Sequence, residues 1–344
     1  MVMSPYFPVT LLSLIIRWVS LFQQPEHDKP IVLNGLTMGT TWQVIYFDDR
    51  KRDFSTAIDS LLKLVNQSIN HYDPASEVSE FNSTGESISS IGPFFRTPLE
   101  KGREVFAASD GAFDMTVMPL VNAWGFGPGK QLQLTPLQID SLKTFVGFEK
   151  IRMEGLEITK SDPRVQLDFG GIGQGYAVDV ISQHLRQQGV DNLLMELGGE
   201  GFAAGKNLQF DRPWQIGILD PESTREDQTF KLYLRIEDKA FTTSGNYFNY
   251  RIVDGKKYGH TFDPRTGYPV RTDILSASVF AADCMTADAW ATAFMVMGLE
   301  AVKKFLTNRD DLDAIIFYAG DTGSVETFMT NGIKSFVISE ETKP

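Results

Sequence analysis

Asp288 and Thr292 are the residues whose spacing first points to chemistry. They belong to residues 284–298, where Thr286 is expected to cap a helix and Gly298 to end it. Four positions apart, the two side chains lie on one helix face. A carboxylate and a hydroxyl are hard oxygen ligands of the kind that Mg²⁺ accepts. In the alternative, Asp288 only favours the positive helix start and Thr292 only packs.

A glycine cluster at residues 168–175 is the second candidate. It reads Asp-Phe-Gly-Gly-Ile-Gly-Gln-Gly and lies between an expected strand at 165–169 and a helix that should end at Gly189. Glycines allow a ligand to approach the backbone, and a helix start offers free N–H groups to an anion. The spacing differs from the dinucleotide-binding fingerprint. The cluster therefore indicates either an anion site or a tight structural turn.

A polar loop at residues 259–267 is the third candidate. Pro264 and Gly267 favour a tight turn that would hold His260 and Asp263 in place. A histidine in a rigid loop is suited to act as a general base or phosphate partner. A surface histidine without a role is the alternative.

Two further clusters combine acids, glycines and aromatic residues. They are residues 111–114 and residues 196–200. Aromatic faces and acids near glycines can hold a planar heterocycle, although Phe113 and Trp124 are of a type that is more often core.

The elements that must position these residues indicate an α+β fold with largely antiparallel sheets and packed helices. Apolar residues at helical spacing predict a helix over 54–69. Thr97 and Thr135 each precede a proline and are each expected to begin a helix. Segments such as 230–236 alternate apolar and polar residues and predict strands that follow one another closely. Runs of strands with intervening helices are typical of this class.

The composition limits the function classes. Hydrophobic residues make up 42% and charged residues 22% of the 344 positions, as in soluble globular proteins. The net charge of -12 argues against nonspecific binding of nucleic acid or anionic lipid. A phosphorylated ligand would therefore need local N–H groups, basic side chains or a metal ion. The single cysteine, Cys284, excludes a multi-cysteine metal site.

Residues 9–22 form an apolar run interrupted by Arg17. The run is shorter than the ~20 residues of a transmembrane helix but matches the hydrophobic region of a secretory signal. We expect a degenerate export signal or an uncleaved anchor, with an amphipathic helix as the alternative. This gives a segment 1–30 and one folded domain over 31–344. The expected location is exported, periplasmic or membrane-anchored, with membrane association through residues 9–22.

Taken together, eight motifs in chain order resemble the ApbE-type flavin transferases, a family described as FAD:protein FMN transferases. The resemblance extends from Met38 to the C-terminal strands. The motifs are residues 38–40, 76–77 with 81–82, 111–114, 168–177, 196–200, 243–247, 260–267 and 285–292. It implies an ApbE-like, T-fold-like architecture. It also implies binding of FAD with Mg²⁺ and transfer of FMN to a Ser or Thr hydroxyl of a target flavoprotein, such as a membrane respiratory subunit, leaving AMP.

The resemblance also implies roles for individual residues. Asp288 and Thr292 would provide oxygen ligands to Mg²⁺, together with the carbonyl of Gly173. His260 would lie beside the pyrophosphate and assist the attacking hydroxyl, so that His260 and Asp288 are the catalytic residues. The implied FAD-binding residues are Phe113 and Asp114 on the adenine side, Tyr72 near the adenine or pyrophosphate, Met38, Glu196 and Ser244 at the flavin, and also Gly171 and His260.

The chain departs from the family pattern at two places. Gly173 and Gln174 replace the usual Ala-Lys, which removes one positive charge near the expected phosphates. The lipobox cysteine that many relatives carry is missing. The first departure bears on the rate or nucleotide preference and not on the fold. Two alternative functions also stay open: hydrolysis of FAD to FMN and AMP, and FAD binding or carriage without chemistry.

Overall fold

A computed structural model describes residues 29–85, 87–88, 90–128, 132–224, 227–245, 250–253, 256–259 and 261–338. The helices in this part of the chain are α1 (Ser55–Ile69), α2 (Glu77–Ser83), α3 (Pro93–Ala108), α4 (Met118–Ala123), α5 (Pro136–Lys143), α6 (Gly173–Gln187), α7 (Cys284–Met297), α8 (Leu299–Leu306) and α9 (Asn331–Lys334). The strands are β1 (Ile31–Thr37), β2 (Thr40–Phe47), β3 (Ser87–Ile88), β4 (Ile151–Glu154), β5 (Glu157–Lys160), β6 (Asn192–Leu197), β7 (Glu200–Ala204), β8 (Lys206–Asn207), β9 (Arg212–Leu219), β10 (Phe230–Ile236), β11 (Lys239–Gly245), β12 (Tyr250–Val253), β13 (Lys256–Gly259), β14 (Phe262–Asp263), β15 (Tyr268–Pro269), β16 (Ile274–Ala281), β17 (Asp313–Ala319) and β18 (Val325–Met329).

An eight-stranded antiparallel sheet organises the fold. Its order is β1-β2-β6-β7-β11-β16-β17-β18. Helices α1, α3, α6 and α7 pack with one side of this sheet in the main core, and this side is called the helix face. The other side, called the back face, packs against β9, β10 and Ile333 of α9 in a second core. This arrangement confirms the expected α+β class.

Strand alternation decides which residues can reach the helices. In β6, Leu193, Met195 and Leu197 belong to the main core, whereas Leu194 packs in the second core. Successive side chains of a strand point to opposite faces, so the same rule assigns every acid on the sheet to one side.

Helix α7 lies across the helix face and is buried along most of its length. The expectation that Thr286 caps this helix is wrong. Asp283 is the N-cap, since its carboxylate accepts a hydrogen bond from the Thr286 N–H at 2.8 Å. An aspartate one position before the helix is the better cap, because its side chain reaches the first-turn N–H groups. Gly298, at φ +79, ends the helix as expected.

Two other sequence expectations need correction. Helix α3 begins at Pro93 rather than at Thr97, because Gly92-Pro93 provides an earlier N-cap and first-turn proline. Residues 165–169 do not form a strand. There the Asn82 side chain accepts the Leu167 N–H at 2.7 Å and donates to its carbonyl at 2.9 Å, which replaces a neighbouring strand.

Other expectations are confirmed. The Thr135 capping box opens α5, and the periodicity at 54–69 corresponds to α1. Within the described ranges, no helix has both the length and the apolar character needed to cross a membrane. The apolar run at residues 9–22 lies outside the described residues, as does the rest of segment 1–28.

Candidate functional site

Asp288 contacts the first turn of α6 directly. Its Oδ2 accepts a hydrogen bond from the Gly175 N–H at 3.0 Å. The two helices approach so closely that a Cβ added at Gly175 would lie 2.5 Å from the Cys284 carbonyl oxygen and 2.8 Å from the Asp288 Cβ. Only glycine allows this approach, so Gly175 fixes where the Asp288 carboxylate meets the glycine cluster.

Thr292 meets the same glycine cluster one turn further along α7. A Cβ added at Gly171 would lie 2.9 Å from the Thr292 Oγ1 and 3.2 Å from the Phe113 Cε2. The structure therefore brings Asp288 and Thr292 to the two ends of the segment 171–175. Gly173 lies between those ends as the first residue of α6. The Gly173 carbonyl points along the helix axis toward the next turn, as helical carbonyls do. A metal ion would therefore contact the second lone pair of the Gly173 carbonyl oxygen.

Glu200 joins Asp288 on the helix face. Its Oε1 accepts a hydrogen bond from the Thr242 hydroxyl at 3.3 Å, and its Oε2 has no hydrogen-bond partner among the described residues. Burial raises the pKa of Glu200 well above its usual value, and the neighbouring Asp288 carboxylate raises it further. Burial also raises the pKa of Asp288 to about 7, against the opposing effect of the Gly175 N–H. Two buried carboxyl groups therefore lie close together, and no basic side chain among the described residues lowers the pKa of either one.

The residues present fit a Mg²⁺ ion. Within the part of the chain that the structure describes, no group of three or more His, Cys, Asp or Glu side chains is arranged for a metal. Mg²⁺ does not need such a group, because it is usually held by one or two carboxylates together with substrate phosphates and water. Asp288 and Thr292 offer the right donor chemistry. A cation at this place would also favour the charged form of Glu200, whose Oε2 has no hydrogen-bond partner among the described residues.

Asp114 borders a cavity of about 320 Å³. The cavity also contacts Pro264 and Arg265 from the 259–267 loop, so two of the sequence clusters meet there. The Asp114 Oδ1 accepts hydrogen bonds from the Thr116 N–H at 2.8 Å and the Thr116 hydroxyl at 2.7 Å. Burial nevertheless raises the pKa of Asp114 to about 6. This is a suitable lining for an uncharged ring that donates hydrogen bonds.

Tyr72 lies against His71, and His71 in turn contacts Asp168 of the glycine cluster. The His71 Nδ1 lies 3.4 Å from the Asp168 Oδ1, and the His71 and Tyr72 ring centres are 4.4 Å apart. The Tyr72 hydroxyl donates to the Phe126 carbonyl at 3.1 Å, yet 60% of the residue is exposed. Tyr72 therefore presents an accessible aromatic face beside the predicted adenine side.

Met38 lies at the other end of the site, in the tight turn between β1 and β2, with φ +49. The turn touches the Gly198-Gly199 turn between β6 and β7. A Cβ added at Gly198 would lie 2.9 Å from the Thr40 Cγ2, 2.9 Å from the Gln174 Nε2 and 3.3 Å from the Glu200 Oε2. Gln174 therefore faces the same small space as the unpartnered oxygen of Glu200.

The three remaining predicted site residues are Ser244, Glu196 and His260, and they do not share one location. Ser244 is paired with Ala277, a main-core residue, so it lies on the helix face with Asp288. Glu196 alternates with the main-core residues Met195 and Leu197 and so lies on the back face, where it borders a separate cavity of about 420 Å³ with Gln43 and Leu36. The structure therefore does not bring Glu196 to Asp288. His260 lies outside the described residues.

The contacts form one continuous line through the molecule. One end is at Asp114 and Phe113, where Phe113 lies beside Gly171. From Gly171 the line continues to Thr292 and Asp288 on α7, and from Asp288 to Gly175 on α6. The other end is at Gln174, which lies near Gly198 and Thr40. The predicted adenine, pyrophosphate and flavin regions follow in that same order.

The sequence interpretation missed two acids. Glu200 was part of a recognised cluster, but Glu196 was selected instead. Strand alternation across the Gly198-Gly199 turn would have distinguished them, because Glu200 pairs with the inward-facing Leu197. Asp179, on α6, accepts hydrogen bonds from the first residues of α7. No local pattern identifies that contact, since it joins segments about a hundred positions apart.

Comparison with known proteins gives a consistent result. The model of the ApbE family matches residues 38–316. The FAD:protein FMN transferase of Haemophilus influenzae is 33% identical over 338 residues, which cover 94% of this chain and 96% of that protein. The FAD:protein FMN transferase of Vibrio cholerae is 35% identical over 296 residues, 83% of this chain and 88% of that protein.

Solved structures agree with the sequence relatives. The flavin transferase ApbE from Vibrio cholerae superposes with a TM-score of 0.81 at 31% identity and covers 90% of this chain and 99% of that one. The apo form of the Pseudomonas stutzeri flavinyl transferase ApbE gives a TM-score of 0.79 at 29% identity, with 90% and 97% covered. These matches confirm the ApbE-like architecture that the motifs implied.

Proposed function

This chain belongs to the ApbE family, and we propose that it is a transferase that moves FMN from FAD to a Ser or Thr hydroxyl of an acceptor flavoprotein. The reaction requires Mg²⁺ and releases AMP. The relatives named FAD:protein FMN transferase support the reaction class.

The observation that carries the proposal is the meeting of α7 with the glycine cluster. Asp288 and Thr292 approach the segment 171–175 from one side, while the regions expected to hold adenine and flavin continue the line of contacts at each end. A dinucleotide lying along that line would have its pyrophosphate at Asp288 and Thr292. The α6 start adds N–H groups suited to an anion.

The proposed step is a phosphoryl-group transfer. The acceptor hydroxyl oxygen attacks the phosphorus of the FMN half, the bond from that phosphorus to the bridging oxygen breaks, and AMP leaves with the oxygen. The hydroxyl proton passes to a base, for which His260 is the proposed residue. Mg²⁺, when bound by Asp288, Thr292 and the Gly173 carbonyl, would neutralise charge on the pyrophosphate. Positioning by the glycine cluster does the remaining work.

The two ends of the line have separate binding tasks. Phe113 closes the space beside Gly171, while Asp114 borders the neighbouring cavity and can accept a hydrogen bond from an adenine amino group. At the other end, the Met38 turn and Ser244 are the proposed flavin contacts. Gly171 matters because a side chain at this position would press on Thr292.

Mass spectrometry of an acceptor tests the proposal. The full-length protein is incubated with FAD, Mg²⁺ and a flavoprotein domain that the Vibrio cholerae relative modifies in a parallel reaction. We expect the acceptor to gain the mass of FMN with release of one AMP, and an acceptor with Ala at the modified hydroxyl to gain nothing. Free FMN beside an unmodified acceptor would instead indicate hydrolysis, and unchanged FAD would indicate binding without chemistry. Either result would overturn the proposal.

We also propose that the protein acts outside the cytoplasm on a membrane respiratory flavoprotein, held at the membrane by residues 9–22. The apolar character of that run supports this location. Fractionation of cells that produce the full chain tests it, and recovery only in the cytoplasmic fraction would contradict it.

A further inference from the structure

Helices α6 and α7 hold each other through two carboxylates that point in opposite directions. Asp179 extends from α6, and its two oxygens accept hydrogen bonds from the N–H groups of Cys284 at 2.7 Å and Met285 at 2.8 Å. Asp288 extends from α7 and accepts the Gly175 N–H of α6 at 3.0 Å. Each helix therefore caps the start of the other.

The Asp179 contact is additional to the cap within α7 itself. Asp283 accepts the Thr286 N–H, which leaves the N–H groups at the first two positions of the helix for another acceptor. Burial raises the pKa of the Asp179 carboxyl, and the two short N–H bonds oppose that effect, as does the helix dipole. Because this acceptor comes from a different helix, it fixes the position of α7 relative to α6.

That relative position determines the geometry of the proposed metal site. At the crossing, Gly175 leaves no room for a side chain, so a small rotation or shift of α7 would move Asp288 and Thr292 away from the segment 171–175. The Gly175 hydrogen bond fixes one point of the crossing, while packing against the sheet restrains α7 as a whole. The two bonds of Asp179 add a second fixed point between α6 and α7.

We propose that Asp179 is a positioning residue for Mg²⁺ and FAD: it holds α7 in the orientation in which Asp288 and Thr292 face the glycine cluster. The proposal rests on the proposed function for the identity of the ligands. Both Asp179 oxygens are engaged with N–H groups of α7, so the proposal assigns this side chain no contact with FAD or the metal. Its effect reaches the site through Asp288.

A matched pair of variants separates positioning from ordinary helix capping. Asp179→Asn keeps the size of the side chain but replaces one acceptor oxygen by an amide that cannot accept an N–H. Asp283→Ala removes the acceptor that α7 provides for its own start. Both variants weaken capping of the same helix, but only the first weakens the link to α6. Asp179→Glu restores both acceptor oxygens and serves as the conservative variant.

Calorimetry is the main measurement, with Mg²⁺ titrated into the full-length protein saturated with ADP, which has no flavin to transfer. We expect Asp179→Asn to weaken Mg²⁺ binding at least tenfold. Asp283→Ala should change Mg²⁺ binding less than twofold while lowering Tm by a comparable amount. Asp179→Glu should recover part of the affinity that Asp179→Asn loses. Equal weakening in Asp179→Asn and Asp283→Ala, or unchanged binding in Asp179→Asn, would overturn the proposal. Should Asp179→Asn not fold, Asp179→Glu takes its place: its longer side chain displaces both acceptor oxygens, so we expect Mg²⁺ binding to weaken about threefold or more, and a change no larger than that of Asp283→Ala would overturn the proposal.

The calorimetric comparison of the variants does not depend on whether the protein transfers FMN. A wild-type protein that binds Mg²⁺ but leaves the acceptor unmodified would refute the proposed function while the variant comparison still tests Asp179. With an active enzyme, we expect Asp179→Asn to raise the Mg²⁺ concentration for half-maximal activity and the KM for FAD by more than it lowers kcat at saturation.

Discussion

The N–H group of Gly175 donates to the Asp288 carboxylate over 3.0 Å, although 113 residues separate the two in the chain. This hydrogen bond joins the glycine cluster to the helix that carries Thr292. Its geometry depends on a glycine, because a Cβ at position 175 would overlap the Cys284 carbonyl. The predictions below test different parts of the site built around it.

Gly175→Ala should separate α6 and α7. The added methyl group would lie 2.5 Å from the Cys284 carbonyl oxygen, so the helices must move apart. We expect a loss of unfolding free energy of about 1–3 kcal/mol, as for other overpacked cores, and weaker Mg²⁺ binding. Chemical denaturation measures the first effect. Gly85→Ala is the control, because the added Cβ would lie 3.8 Å from the Pro163 Cβ, an ordinary contact distance. Equal stability of the two variants would contradict the close crossing of α6 and α7.

Asp114 should make the folded state less stable as the pH rises. Its folded pKa of about 6 lies above the ordinary value of 3.8, so the folded protein holds the proton more tightly. The resulting stabilisation is complete below about pH 4 and is lost as the pH rises through 6. Asp114→Asn keeps the acceptor for Thr116, and we expect it to reduce the fall in Tm between about pH 5 and pH 7.5.

The full effect of that pKa shift would be about 3 kcal/mol, since one unit corresponds to about 1.4 kcal/mol, and about half of it would be lost between about pH 5 and pH 7.5. Thermal unfolding without FAD or metal measures the part that is lost over this pH range. Asp110→Asn, an exposed neighbour that borders the same cavity, is the matched control. Identical pH profiles for wild type and Asp114→Asn would show that Asp114 titrates normally.

Gln174→Lys should restore a positive charge next to Glu200. The Gln174 amide and the unpartnered Glu200 Oε2 border the same space at Gly198, so an ammonium group there would compensate the buried carboxylate. It would also attract the pyrophosphate. We expect FAD to bind roughly fivefold more tightly, which corresponds to about 1 kcal/mol. Fluorescence titration measures this, and Gln187→Lys adds the same charge at an exposed position of the same helix. Equal FAD affinities for the two variants would exclude a local effect.

The sequence predicted the local elements of the site well. The i, i+4 relation of Asp288 and Thr292, the helix after the glycine cluster and its end at Gly189 all depend on nearby residues, and local patterns encode such features. The α+β class followed from the same kind of pattern. The motif order was sufficient to indicate the family.

The failures concern long-range contacts. Residues 165–169 looked like a strand, but the Asn82 side chain satisfies their backbone from 85 positions away. Asp179 gave no local sign of its contact with the start of α7. Glu200 was not singled out from the cluster at residues 196–200, because composition does not show which face of a sheet an acid occupies; Glu196 stays a predicted flavin contact. These gaps arose where tertiary contact, rather than local preference, decides the structure.

The most direct test of the account is the Mg²⁺ dependence of FMN transfer by Asp288→Ala. The Asp288 carboxylate is the charged group that the site offers to the metal, and its removal leaves only neutral oxygen donors on α7. The rate of FMN addition to the acceptor is followed by mass spectrometry at increasing Mg²⁺ concentrations and saturating FAD. Asp59→Asn, an exposed aspartate on α1, controls for loss of a carboxylate elsewhere. We expect transfer by Asp288→Ala to fall at least a hundredfold, which corresponds to about 3 kcal/mol, with wild-type rates in Asp59→Asn. Transfer by Asp288→Ala at the wild-type rate and the wild-type Mg²⁺ concentration would contradict the account.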